Sequence, residues 1–142
     1  MSDPLYTTTA TSWGGRDGRV VTDDNRLDVS LSVPAGMGGD DGPGTNPEQL
    51  FASAWAACFH GALKAVARGE KIVLGDSAVT VTLSISGEFV AGLNFSAKIV
   101  AELEGVEEGV ASDLINKAHE KCPYSRATRG NVDVLLETIT TA

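Results

Sequence analysis

The segment from Thr45 to Arg68 restricts the fold most. It opens Thr45-Asn46-Pro47-Glu48-Gln49, in which Asn46 is placed as a helix N-cap, Pro47 as the first helical residue and Gln49 as the residue three beyond the cap. From Leu50 to Val66 (LFASAWAACFHGALKAV) nearly every residue is apolar or small, with no polar stripe. A helix that is apolar all round is buried on most of its circumference, so this one needs walls on several sides. A chain of 142 residues reads as a single domain, 1–142, burying roughly 68–70 % of its unfolded surface. The few strands of one such domain cannot wall the helix completely, so a second subunit is expected to help.

The strands are read from period-two alternation. Leu27–Val33 alternates apolar and polar, as do Val79, Val81, Leu83 and Ile85, and then Leu93, Phe95, Ala97, Ile99, Ala101 and Leu103. The last two segments, joined by a short connection around Gly87–Gly92, predict an antiparallel hairpin. Val132, Val134 and Leu136 predict a final strand. Residues from Tyr6 to Ser12 and from Arg19 to Thr22 predict another hairpin around Gly14–Gly18. A second helix is expected over Glu107–Lys121, with Val110, Leu114 and Ala118 recurring on one face and Cys122 continuing that ladder. Pro123 disfavours helical geometry at Cys122, so the chain breaks there and a short helix follows to about Thr128. The glycine-rich stretch Pro34–Gly44 reads as a lid or linker rather than a phosphate cradle, and no internal repeat is visible.

Composition removes several function classes. Eleven Lys+Arg against 19 Asp+Glu, a net charge of −8, leave no basic footprint for a phosphate backbone, so nucleic acid is not an expected partner. No apolar run approaches the ~20 residues of a bilayer span. The N-terminal MSDPLYTTTATSWGG does not read as a secretory signal, which points to the cytoplasm. Two cysteines in a reducing compartment are too few for a disulfide framework. What remains for them is core filling, metal ligation or redox chemistry.

Cys58 lies in the middle of the apolar helix between Ala57 and Phe59, where a thiol ordinarily serves as a small core residue. Cys122 stands at a helix break with Arg126 and Arg129 downstream and free N–H groups ahead of it, a setting that lowers a thiol pKa or holds a reactive partner. A zinc site is weighed because His60 and His119 lie near the two cysteines. His119 and Cys122 share a helix face, but Cys58 and His60 are two apart and point to nearly opposite sides, so the four do not converge and no metal is expected. A peroxide-reducing thiol pair needs a nucleophilic thiolate, a cation to hold it, a group orienting the cation, and a second thiol to resolve the sulfenic acid. Arg16, in the Gly14–Gly18 turn, and Glu48, at the start of the apolar helix, are the places to look for the cation and its orienting carboxylate. Each also has a plain reading, as a solvated side chain or, for Glu48, as a favourable charge at a helix N-terminus.

GTNPEQLFASAWAACF (Gly44–Phe59), CPYSRATRGN (Cys122–Asn131) and GGRDG (Gly14–Gly18) closely resemble the organic hydroperoxide resistance proteins, a branch of the larger family that includes the osmotically inducible bacterial proteins. The resemblance covers essentially the whole chain; Trp55, His60 and Arg126 are its peripheral departures. It implies an α+β fold in an intertwined homodimer, with antiparallel sheets around long buried central helices. It further implies a thiol-dependent peroxidase with Cys58 as peroxidatic cysteine, Cys122 as resolving cysteine, and Arg16 and Glu48 as the pair activating Cys58. Alkyl and fatty-acid hydroperoxides are the implied substrates, a lipoylated protein the implied reductant, and no cofactor is called for. Met37, Leu50, Phe51, Trp55 and Phe59 are candidates for lining an apolar channel for the alkyl chain. A thiol–disulfide switch that binds a partner without turnover, and a structural dimer with two buried cysteines, are the competing readings.

Ten residues of continuous helix separate Glu48 from Cys58, about 15 Å at about 1.5 Å per residue. On the family assignment, Arg16 and Glu48 are therefore expected to reach the Cys58 of a partner subunit.

Overall fold

The computed structural model describes residues 2–142, which divide between Leu50 and Phe51 into two compact units.

In the first unit, β1 (Ala10–Trp13), β2 (Arg19–Thr22) and β3 (Asp28–Ser30) form an antiparallel sheet in sequential order. The expected hairpin is present, but its first strand starts at Ala10 rather than Tyr6 because β2 offers partners only from Arg19 to Thr22. The turn between β1 and β2 depends on glycine. Gly14 and Gly15 have φ of 82° and 69°, a region that costs little only without a Cβ, and a Cβ on Gly18 would meet the Trp13 carbonyl oxygen at 1.8 Å. The turn lifts Arg16 on a short 3-10 segment, Gly15–Asp17. The stretch Pro34–Gly44 is laced by its own hydrogen bonds: a 3-10 turn at Ala35–Met37, Asp41 N–H to Val33 O at 3.1 Å, and Gly44 N–H to Ser32 Oγ at 2.8 Å.

α1 (Pro47–Gly69) begins as expected. The Gln49 N–H donates to Asn46 Oδ1 at 2.8 Å, which satisfies one of the four N–H groups a helix start leaves open. The helix has no break up to Gly69. By length and composition it is long and apolar enough to cross a membrane, which corrects the expectation that no apolar run comes near that length. In this fold Trp55, Phe59, Leu63, Val66 and Ala67 are instead buried in the core of the second unit.

That unit also holds β4 (Ser77–Glu88), β5 (Gly92–Glu104), α2 (Glu108–Lys121), α3 (Pro123–Thr128) and β6 (Asp133–Thr141). β4 and β5 form the expected hairpin, with Val81 opposite Ile99 and Leu83 opposite Ala97. β6 pairs with β5 in parallel, Leu136 opposite Ile99. The sheet is therefore mixed, not antiparallel as expected. The α2–α3 crossover carries the chain back before it re-enters the sheet, and a crossover of that length is what parallel neighbours require. Alternate residues of all three strands face one side, where Ala97, Ile99, Ala101 and Leu103 close the core with Leu114, Ile115, Ala118 and Cys122. α1 is buried along one stripe only. Ala57 and Gly61 are exposed and Cys58 is half-buried, so within one chain the remaining walls of the helix are open.

Candidate active site

The two cysteines meet. Cys58 projects from the middle of α1, and Cys122 is fully buried at the end of α2. Cys122 takes an extended backbone (φ −60°, ψ 124°) between α2 and α3, with Pro123 opening α3, so the expected break falls at the cysteine. Both thiols are free, and Cys122 and the backbone of Tyr124 are the neighbours that act on the Cys58 thiol. Tyr124 has a free N–H to offer because the first turn of a helix leaves its donors without intrahelical acceptors. Burial, helped by the neighbouring Cys122, pushes the Cys58 thiol above its ordinary value, and the Tyr124 N–H opposes that rise. In these surroundings Cys58 needs a further positive group to become a nucleophilic thiolate near neutral pH.

The first unit holds an oriented cation of its own. Arg16 Nη1 and Nη2 donate to Glu48 Oε2 and Oε1 at 3.0 and 2.8 Å, the two-pronged geometry that fixes a guanidinium plane. The hydrogen bonds from Arg16 hold the Glu48 carboxyl below its usual range against the opposing effect of burial, and Glu48 raises Arg16 in turn. The Arg16 side chain keeps 38 % of its surface exposed against 13 % for Glu48, so the carboxylate is sheltered and the cation presents a free face.

Of the residues considered for an alkyl channel, Met37 and Leu50 are half-buried in the first unit. In the second, Phe51 is half-buried, stacked on Trp55 (ring centroids 5.5 Å apart) and edge-on to Phe95. Trp55 and Phe59 have no exposed surface, so they underlie the helix face rather than line an opening. His60 shares a hydrogen bond with Ser77 Oγ at 2.8 Å, and burial together with Lys64 holds its imidazole below the ordinary value. His119 lies 6.4 Å, centroid to centroid, from the Phe59 ring. Among the described residues, no group of three or more His, Cys, Asp or Glu is gathered as a metal site would require.

Sequence reasoning missed Ser125. It is fully buried and accepts a hydrogen bond from Trp55 Nε1 at 3.2 Å across 70 positions of sequence. Its only sequence signal was its place inside CPYS.

A model of the OsmC-like protein family matches residues 38–137. The chain belongs to the OsmC-like family. Within it, this OsmC-like chain is 47% identical over 133 residues to the organic hydroperoxide resistance protein of Xanthomonas axonopodis pv. citri, covering 93% of each. It is 42% identical over 134 residues to the organic hydroperoxide resistance protein OhrB of Bacillus subtilis, covering 94% of the chain and 97% of that protein. The crystal structure of an organic hydroperoxide resistance protein from Legionella pneumophila matches it with a TM-score of 0.93 at 44% identity, over 96% of this OsmC-like chain and 99% of that one.

Proposed function

We propose that this protein is a cytoplasmic thiol peroxidase that reduces alkyl and fatty-acid hydroperoxides to alcohols and so protects against oxidative stress. The observation that carries the reading is that the half-buried Cys58 thiol has the fully buried Cys122 as a neighbour close enough to perturb it. In this reading Cys122 is the resolving thiol and Cys58 the nucleophile, and their proximity supports disulfide formation without a change in fold. The Cys58 thiolate attacks the distal oxygen of the hydroperoxide, the O–O bond breaks, and the alkoxide takes a proton and leaves as the alcohol. The sulfenic acid on Cys58 then condenses with the Cys122 thiol: the S–S bond forms, the S–O bond breaks and water leaves. A dithiol, supplied by a lipoylated protein, reduces the disulfide and restores both thiols. Two hydroperoxide resistance proteins at 47% and 42% identity support the substrate class.

The working unit in this reading is a homodimer. Glu48 and Cys58 stand ten residues apart on an unbroken helix, so the bidentate Arg16–Glu48 pair acts on the Cys58 of a partner subunit. The open walls of α1 are the surface that partner covers. In this reading the alkyl chain packs on Phe51, with Trp55 and Phe59 buried beneath the same helix face, and Met37 and Leu50 are the first unit's apolar residues assigned to it.

The test is single-turnover oxidation of the fully reduced protein by one equivalent of an organic hydroperoxide or of hydrogen peroxide, followed by mass spectrometry of the thiols. Rapid formation of a Cys58–Cys122 disulfide, faster with the organic peroxide, is expected. Thiols left unreacted under native conditions overturn the reading in favour of a binding or purely structural role.

A further inference from the structure

The resolving cysteine sits on an elbow, and an elbow between two helices moves unless something holds it. Cys122 and Pro123 interrupt the helical backbone, and α3 beyond them has only six residues. Yet this elbow carries Cys122 and Tyr124, the two neighbours that act on the Cys58 thiol of a different helix. Two side-chain bonds brace it. Arg129 Nη2 donates to the His119 carbonyl at 2.9 Å, tying the far end of α3 back to the last turn of α2, but this bond is exposed. The other is the Trp55–Ser125 bond, with both residues at 0 % relative exposure.

The Trp55–Ser125 bond joins the elbow to the helix that carries the nucleophile. Trp55 lies three residues before Cys58 on α1, close to one helical turn, so the indole and the thiol sit on neighbouring parts of the same surface. Ser125 lies three residues after Cys122. The nearly parallel stack on Phe51, with 16° between the ring planes, sets the angle of the indole and with it the direction of its one N–H. Water does not reach either partner, so breaking the bond leaves a buried donor or hydroxyl unmatched.

We infer that the buried hydrogen bond from Trp55 to Ser125 is a latch that positions the Cys122 elbow against Cys58 for disulfide formation, making Trp55 and Ser125 positioning residues rather than parts of the channel for the alkyl chain. The inference rests on the peroxidase reading above. It concerns the second step of that cycle, the competition for the Cys58 sulfenic acid. Condensation with Cys122 gives the disulfide and water. Attack on a second hydroperoxide molecule oxidises the sulfur to sulfinic acid, reduces that peroxide to its alcohol and ends turnover. A latched elbow favours the first outcome.

The experiment exposes reduced wild-type protein, Trp55→Phe, Ser125→Ala and the double variant to a series of concentrations of one organic hydroperoxide, and reads the ratio of disulfide to Cys58 sulfinic acid by intact mass. Leu103→Ala, which opens the core on β5, serves as a control for loss of stability alone. Each latch variant is expected to shift the ratio toward sulfinic acid by about fivefold to tenfold, the factor one buried neutral hydrogen bond is worth when it forms in the transition state. The double variant should match the single ones, since all remove the same bond, and Leu103→Ala should keep the wild-type ratio at a comparable drop in melting temperature. Wild-type ratios in both single variants overturn the latch, as do additive effects or an equal shift in Leu103→Ala. A wild-type protein that forms no Cys58–Cys122 disulfide at all overturns the peroxidase reading itself.

Discussion

Arg16 and Glu48 illustrate how much a single pair can be asked to do. Glu48 has a folded-state pKa below its ordinary value, set first by the hydrogen bonds from Arg16. The pair's contribution to stability is therefore present above the ordinary carboxylate range near about 4.3 and is lost as pH falls through the folded-state value. With Arg16 partly exposed, that contribution is expected to stay below about 1 kcal/mol. Melting curves of wild type and Glu48→Gln should differ at neutral pH and converge in acid. For Cys58 the displacement runs the other way, toward the neutral thiol. Arg16→Ala should move the pH midpoint of Cys58 alkylation upward and slow the reaction with hydroperoxide at pH 7 by about 10²-fold, as loss of one preorganised charge-stabilising donor does. An alkylation profile identical to wild type would remove Arg16 from the mechanism. At this scale the motifs made Cys58, Cys122, Arg16 and Glu48 legible through family resemblance. Ser125 stayed illegible because its partner lies 70 positions away and no local pattern encodes such a contact.

Among the elements, the break between α2 and α3 has the clearest cause and the sharpest consequence. Leu114, Ala118 and Cys122 form a buried ladder on α2, and without the ring of Pro123 that ladder would continue. Helical geometry through Cys122 would direct the Tyr124 N–H to the carbonyl of Glu120, four residues back, instead of to Cys58. Pro123→Ala is therefore expected to raise helix content slightly by circular dichroism and to slow Cys58–Cys122 disulfide formation in stopped-flow oxidation. Disulfide formation at the wild-type rate would mean that tertiary contacts hold the break without proline. Capping, proline placement and the 3.6-residue period made this element legible, because each acts within a few residues. The failure at β1 has a matching cause: Tyr6–Thr9 are threonine-rich, which suits extended backbone, but the β1–β2 ladder ends at Ala10 opposite Thr22.

At the scale of the whole molecule, the proposal that Arg16 and Glu48 serve the partner's Cys58 has a decisive mixed-chain test. A heterodimer is assembled from one chain carrying Arg16→Ala and another carrying Cys58→Ser. If the site is shared between chains, one of its two sites is intact and about half of wild-type activity should return, as the two-fold symmetry of such a dimer requires. If each chain serves itself, the mixture is inactive. Size-exclusion chromatography of the mixture, run alongside, checks that the chains associate.

The sequence alone determined what depends on near neighbours: the capped apolar helix, the β4–β5 hairpin, the proline break at Cys122, and the motifs that mark the thiols. These follow from backbone geometry and side-chain periodicity over at most a dozen or so residues. Only the tertiary structure decided that β6 returns parallel to β5 and that Cys122 and Tyr124 become neighbours of Cys58. It alone joined Arg16 to Glu48 in a two-pronged bond and matched the indole of Trp55 to Ser125. Each of these joins residues far apart in the chain, brought together by burial of the core as a whole, and that cooperative packing leaves no mark in any single stretch of sequence.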